Sequence, residues 1–286
     1  MDFVVIGGGA VGMLTACLFN QAGANIQLVT RREEQAEAIN EKGIISGASC
    51  HKIKALTGYQ NVPAEAYLVL AVKYDALEQV IAAVKQQCPR NPVIFLQNGM
   101  LHLEYIKHMS NPHIAAGSVE HGAIKISDNE IKHTGKGIYK FALLKGDKEM
   151  FMPLLELNGV KTEWHENVDQ LLVRKVLLNS IINPLTALLE VKNGELLSNP
   201  YAYELLKNLY TELYSGFPEI EALLPFEEVT ALCASTAANT SSMLADKLAG
   251  RKMELDTILL YTLNRSRVEL PSLRTFYHLL KAAEER

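Results

Sequence analysis

The feature that most constrains this chain lies at its start. The apolar run Phe3-Val4-Val5-Ile6 feeds directly into Gly7-Gly8-Gly9-Ala10-Val11-Gly12, a Gly-x-Gly-x-x-Gly turn. After it, Val11 to Phe19 carries apolar residues at helical spacing and closes near Gly23, so the turn joins a buried strand to a helix. That is a dinucleotide cradle. Gly7 permits the tight turn, Gly9 lets the backbone approach a pyrophosphate, and Gly12 lets the helix pack close to its strand. The amides of Gly8, Ala10 and Val11 complete a helix N-terminus that faces the phosphates. The bland alternative is a glycine-rich turn that binds nothing.

A second strand, Ile26-Gln27-Leu28-Val29, ends in Thr30-Arg31-Arg32. An NAD site would place an acid here to accept from the ribose 2′-hydroxyl. Two guanidiniums suit a 2′-phosphate instead, since an Arg fork binds phosphate oxygens bidentately. The expected cofactor is therefore NADPH, held in part by Arg31. Arg32 is as readily a solvated charge balancing Glu33 and Glu34.

Composition is that of a globular enzyme: 286 residues, 48% hydrophobic, 21% charged, formal net charge −4. A mildly acidic chain without basic runs gives no electrostatic footprint for nucleic acid. Its apolar stretches are broken well short of a bilayer span and no signal-peptide pattern opens it, so the expected location is the cytoplasm. Cys17, Cys50, Cys88 and Cys233 are scattered, and the eight His residues show no ligand spacing. No metal is expected.

Ala66 to Val72 and Pro92 to Leu96 read as further buried strands around an amphipathic helix, Asp75 to Gln87, which implies a parallel sheet. Ligands of such sheets lie beyond the carboxyl ends of the strands. The glycine turn, Arg31, Lys73 and Gln97-Asn98-Gly99 occupy those ends. His113 to Leu144 reads as short β segments separated by Ser127-Asp128-Asn129 and Thr134-Gly135-Lys136-Gly137, expected to extend the sheet antiparallel. From about Val168 the pattern is helical. The reading is an α/β Rossmann-type domain over residues 1–166 and an all-α domain over residues 167–286.

Gln170 to Leu189 is apolar on most sides, yet Lys175, Asn179 and Asn183 recur at i, i+4 and i+8, one narrow polar stripe. Buried amides and ammonium groups need partners, so the stripe must meet a ligand, water or neighbouring backbone. A cleft between the domains would supply the ligand. Later, Asn239-Thr240-Ser241-Ser242-Met243 precedes Glu254-Leu255-Asp256. Ser242 and Glu254 can act as site residues, or as a helix cap and a solvated charge.

Taken in order, these motifs resemble the ketopantoate reductase (2-dehydropantoate 2-reductase) family nearly end to end. They are the glycine loop, Ala71-Val72-Lys73, Gln97-Asn98-Gly99, Gly117 with His121-Gly122-Ala123, Lys175 with Asn179 and Asn183-Pro184-Leu185-Thr186-Ala187, Asn193-Gly194-Glu195-Leu196, Asn239 to Met243, and Glu254 to Asp256. The resemblance implies a helical domain similar to that of 6-phosphogluconate dehydrogenases and NADPH-dependent reduction of ketopantoate to pantoate in pantothenate biosynthesis. By position, Lys175 would be the proton donor. Asn98, Asn179, Asn183, Asn193 and Ser242 would contact substrate. Glu254 would lie near Lys175 and the cofactor, and the Gly122 backbone would touch NADPH; from their place at the strand ends, Lys73 can approach a phosphate or ribose of the cofactor and Asn98 a nicotinamide ribose or the substrate. A homodimer is possible. After Asp256 this chain continues Thr257-Ile258-Leu259-Leu260-Tyr261 where the family commonly has an Asn-Gly step, so another 2-oxo acid is the alternative substrate. A non-catalytic NADPH sensor is the alternative of another class.

Overall fold

The computed structural model describes residues 1–285, which form two compact units: residues 1–97 with 102–171, and residues 98–101 with 172–285. The first unit is built on β1 (Asp2–Ile6), whose residues from Phe3 to Ile6 are buried on both faces. Phe3 and Val5 enter one apolar cluster, while Val4 and Ile6 enter the other. A strand covered on both sides needs the continuous apolar run seen here rather than alternation.

In chain order this unit contains β1, α1 (Ala10–Gln21), β2 (Asn25–Val29), α2 (Glu33–Lys42), β3 (Ile44–Ser46), β4 (Ser49–His51), β5 (Lys54–Leu56), β6 (Tyr67–Leu70), α3 (Tyr74–Gln87), β7 (Val93–Phe95), α4 (Leu103–Ile106), β8 (Ile114–Val119), β9 (Gly122–Lys125), β10 (Glu130–Gly135), β11 (Tyr139–Lys145), a 3-10 helix (Lys148–Glu156) and β12 (Thr162–His165). The main sheet has eight strands in the order β12-β11-β8-β7-β6-β1-β2-β5. Around the glycine turn it is parallel, with Val5 opposite both Leu28 and Val69. This is a Rossmann-type α/β fold.

The expected antiparallel extension is only partly right. β8 runs parallel to β7, and β11 alone pairs antiparallel with it. β9 and β10 leave the main sheet and join β3 and β4 in a separate four-stranded sheet. The cause is side-chain patterning: Ile131, with Ala123 beside it, packs into the cluster that contains Met13, Leu14 and Cys17 of α1. These short strands thus bury their apolar face on a helix instead of prolonging the main sheet.

The second unit is helical. It takes up most of α5 (Val168–Leu189), followed by α6 (Glu195–Ser198), α7 (Pro200–Gly216), α8 (Ile220–Leu223), α9 (Phe226–Ser235), α10 (Ser242–Leu248), a π-helical turn (Asp256–Leu260), α11 (Tyr261–Arg265) and α12 (Pro271–Glu284). The starts of these helices follow ordinary capping chemistry. Asn199 Oδ1 accepts from the Tyr201 and Ala202 amides ahead of Pro200, and Ser241 Oγ accepts from the Leu244 amide. α5 is long and apolar enough to cross a membrane, but 72% of its apolar window is buried inside the protein. It is a core helix.

Candidate active site

The peptide unit that opens the glycine loop is held by the sheet on both sides. Gly7 N donates to Val29 O (2.9 Å), and Ala71 N donates to Ile6 O (2.8 Å). α1 starts at Ala10 with Gly9 as its N-cap and no side-chain cap, so no side chain of the protein serves the first amides of the helix. A Cβ at Gly9 would meet no atom within 4 Å, whereas one at Gly12 would run into the Gly7 carbonyl. Room for a ligand on one side and close helix–strand packing on the other are what a pyrophosphate cradle requires.

Arg31 is exposed beyond the end of β2, and Lys73 is the N-cap residue of α3. Gln97 is structural: its Nε2 donates to Leu70 O and Val72 O, both at 3.0 Å, pinning the end of β7 to the end of β6. Gly122 opens β9 opposite Gly135, beside a bulge.

Three residues at this loop, Gln35, Lys125 and Asp128, were given no role there by the sequence. Gln35 Nε2 donates to Gly8 O (2.8 Å) and to Asp128 O (2.9 Å). Lys125 Nζ donates to Gly8 O (3.1 Å) and lies 3.2 Å from Asp128 Oδ1. Arg32, for which the sequence left open a phosphate-binding role and a solvated charge balancing Glu33 and Glu34, pairs with Asp128, with Glu34 at 3.9 Å. The hydrogen bond from Arg32 holds the Asp128 carboxyl below the usual carboxylate range. Ser127-Asp128-Asn129 signalled a turn in the sequence, but nothing there said which element the turn would reach.

In the helical unit, Asn98 Nδ2 donates to Glu254 Oε2 at 3.0 Å. Gly99, at φ +80°, lies against the Thr257 carbonyl so closely that a Cβ would collide with it. The segment after Glu254 is itself clamped. Asp256 accepts from Tyr277 Oη (2.8 Å) and Lys281 Nζ (3.0 Å), and Met253 N donates to Glu284. Burial disfavours ionisation of Asp256, but those two donors bring its carboxyl below the usual range.

Lys175 and Asn179 are half-buried on α5, and Asn183 is buried. The Asn183 Nδ2 has no hydrogen-bond partner in the protein, nor has the buried Oδ1 of Asn193. Asn193 is otherwise fixed, its Nδ2 donating to Thr236 Oγ1 (2.9 Å) and its backbone N to Asn239 O (3.1 Å). Ser242 is exposed at the first turn of α10, and the cap is its neighbour Ser241, 2.7 Å from Thr186 Oγ1. The structure therefore supplies one orphaned amide donor and one orphaned acceptor among the residues expected to meet substrate. An orphan costs about 1–3 kcal/mol, which a ligand with complementary groups would return.

The cysteines are free. Burial pushes the Cys17 thiol up to about 12 and that of Cys233 to about 11, which removes them as nucleophiles. Among the described residues, no group of three or more His, Cys, Asp or Glu is placed to hold a metal.

Residues 3–146 match the model of the family ketopantoate reductase PanE/ApbA, and residues 167–284 match ketopantoate reductase PanE/ApbA C terminal. The chain is 33% identical to 2-dehydropantoate 2-reductase of Listeria monocytogenes over 98% of this chain and 96% of the relative. Among solved structures, the probable 2-dehydropantoate 2-reductase of Bacillus subtilis superposes with a TM-score of 0.83 at 33% identity, covering 99% of this chain and 100% of that one. D-mandelate dehydrogenase, solved with NADH and anilino(oxo)acetate, shares the fold at a TM-score of 0.87 and 21% identity, covering 100% of this chain and 99% of that one. A glycine cradle on a parallel sheet, a polar stripe on a buried helix and two family matches that together span nearly the whole chain lead to one conclusion: this chain belongs to the ketopantoate reductase family.

Proposed function

We propose that this protein catalyses the NADPH-dependent reduction of 2-dehydropantoate to pantoate, a step of pantothenate biosynthesis in the cytoplasm. The observation that carries the reading is the α5 stripe. Lys175, Asn179 and Asn183 share one helix face, and the last of them keeps a buried amide donor without a protein partner. An oxyacid substrate offers the acceptors such a face lacks.

The residues of the α/β unit fit a nicotinamide dinucleotide, as the open space at Gly9 and the uncapped start of α1 attest. Gly7 to Gly12 would hold its pyrophosphate, with Arg31 and Lys73 meeting its phosphates and ribose and the Gly122 backbone its nicotinamide half; in the helical unit, Asn98 and Glu254 are the residues that the family reading assigns to the cofactor. When bound, the reduced cofactor supplies a hydride to the 2-oxo carbon. The Lys175 ammonium stabilises the charge that develops on the carbonyl oxygen and gives that oxygen its proton. Glu254, whose Oε2 accepts from Asn98 Nδ2, is the acid that the family reading sets near the lysine, where an anion would favour the ammonium form. Asn179, Asn183, Asn193 and Ser242 bind the carboxylate and hydroxyl groups with neutral donors and acceptors, and so add no second cation beside the lysine.

The test is NADPH oxidation, followed by absorbance, with ketopantoate and a panel of other 2-oxo acids, and with NADH in place of NADPH. Turnover restricted to ketopantoate and NADPH is expected. Turnover of a different 2-oxo acid alone would overturn the substrate, and tight NADPH binding with no turnover on any acid would overturn the enzymatic reading.

A further inference from the structure

Near the carboxyl end of β2, two cations converge on one carboxylate oxygen. Arg32 and Lys125 both meet Asp128 Oδ1, and Arg31 stands exposed next to Arg32. Gln35 and Lys125 tie the turn between β9 and β10 to the glycine loop, both through the Gly8 carbonyl, and Asn129 Nδ2 donates to Gly43 O (3.0 Å) just after α2. The arrangement is thus anchored on three sides. In a Rossmann-type unit the end of the second strand is where the adenosine 2′ position is read. The acid that the sequence lacks after β2 is delivered there from a distant turn, already neutralised by two cations.

We propose that Lys125 and Arg32 bind the adenosine 2′-phosphate, and that Asp128 is its internal stand-in, displaced when the phosphate arrives. The inference rests on the NADPH reading and adds to it the residues that set the preference. A phosphate monoester carries about −1.5 to −2 charge and three acceptor oxygens, so it outcompetes a single carboxylate for two cations through charge-assisted hydrogen bonds. An adenosine with a free 2′-hydroxyl cannot, and leaves Asp128 in place.

The experiment is calorimetric titration of the full chain with 2′,5′-ADP, with 5′-ADP and with inorganic phosphate. Wild type is expected to bind 2′,5′-ADP at least 10-fold more tightly than 5′-ADP, and inorganic phosphate only weakly. Lys125→Gln, which can still donate to Gly8 O but carries no charge, is expected to weaken 2′,5′-ADP about 10-fold and leave 5′-ADP unchanged. Asp128→Asn is expected to tighten 2′,5′-ADP several-fold, because nothing need be displaced. Equal loss for both nucleotides in Lys125→Gln would make Lys125 a strut of the glycine loop and overturn the proposal, as would no loss at all. Weaker binding of 2′,5′-ADP in Asp128→Asn would overturn the stand-in role. Inorganic phosphate binding as tightly as 2′,5′-ADP would mean a simple anion site. A wild type that prefers 5′-ADP would overturn the NADPH reading itself, with Asp128 then accepting from the 2′-hydroxyl.

Discussion

Asn98 and Glu254, 156 residues apart in the chain, are joined by a hydrogen bond from Nδ2 to Oε2 at 3.0 Å. The amide is a donor that carries no charge, so it orients the carboxylate without neutralising it. Asn98→Asp would set two carboxylates against each other and raise the pKa of one of them. A loss of about 10²-fold in kcat/KM near neutral pH is expected, partly regained toward pH 5 as the pair takes up a proton. Asn98→Ala, which only removes the donor, should cost about 10-fold. The pH–rate profiles check this, and an Asn98→Asp profile identical to wild type would disprove the coupling.

Lys175 is expected to act on the reacting oxygen and not on the cofactor. Lys175→Ala should lower turnover by on the order of 10²-fold or more, while the dissociation constant for NADPH stays within about 2-fold. Lys175→Arg should remain slow, because a guanidinium keeps the charge but gives up a proton poorly. Steady-state rates and cofactor titrations on the same preparations separate the two effects. Restored turnover in the arginine variant would show that charge alone is needed.

The sequence announced long or strongly patterned elements well. The run Phe3 to Ile6, the glycine turn and the stripe on α5 each carry several residues of one period, and such signals survive tertiary context. The strands β3, β4 and β5 have three residues each, too few to show a period, and they went unread. The relationships that no local pattern encodes were also missed. Asp128 sits in what reads as a plain turn, and its meeting with Arg32 across 96 residues depends on β9 and β10 packing against α1. Ser241 and Ser242 are alike as residues, and only the helix start, fixed by packing of Met243 and Leu244 in the interior, makes the first of them the cap.

Thr15 and Tyr139 form a buried hydroxyl pair at 2.9 Å between α1 and β11. Removing one member leaves the other unsatisfied, and burial already pushes the Tyr139 phenol far above its usual range. Tyr139→Phe and Thr15→Val should each cost about 1–2 kcal/mol, and the double variant should cost no more than the worse single one, since no orphan remains. Urea unfolding of the four proteins measures the cycle. Strictly additive losses would mean the two hydroxyls do not act as a pair.

His102 is buried, stacked on Phe95 at a centroid distance of 5.5 Å, and neither ring nitrogen has a protein partner. Burial pushes it down to about 4, and burial together with neighbouring His133 does the same to His121. Both groups therefore take up protons more readily in the unfolded chain. Their contribution to stability is fully present above about pH 6.5 and is lost as the pH falls toward 4, about 3 kcal/mol for His102 alone by linkage. Urea unfolding at pH 7 and pH 4.5 should show this loss in wild type. In His102→Leu, which fills the site without a titrating group, the loss should be smaller by about 2 kcal/mol, the remainder coming from His121 and other groups. An unchanged acid loss in His102→Leu would mean that His102 is already protonated in the folded protein at pH 4.5 or that water satisfies its ring.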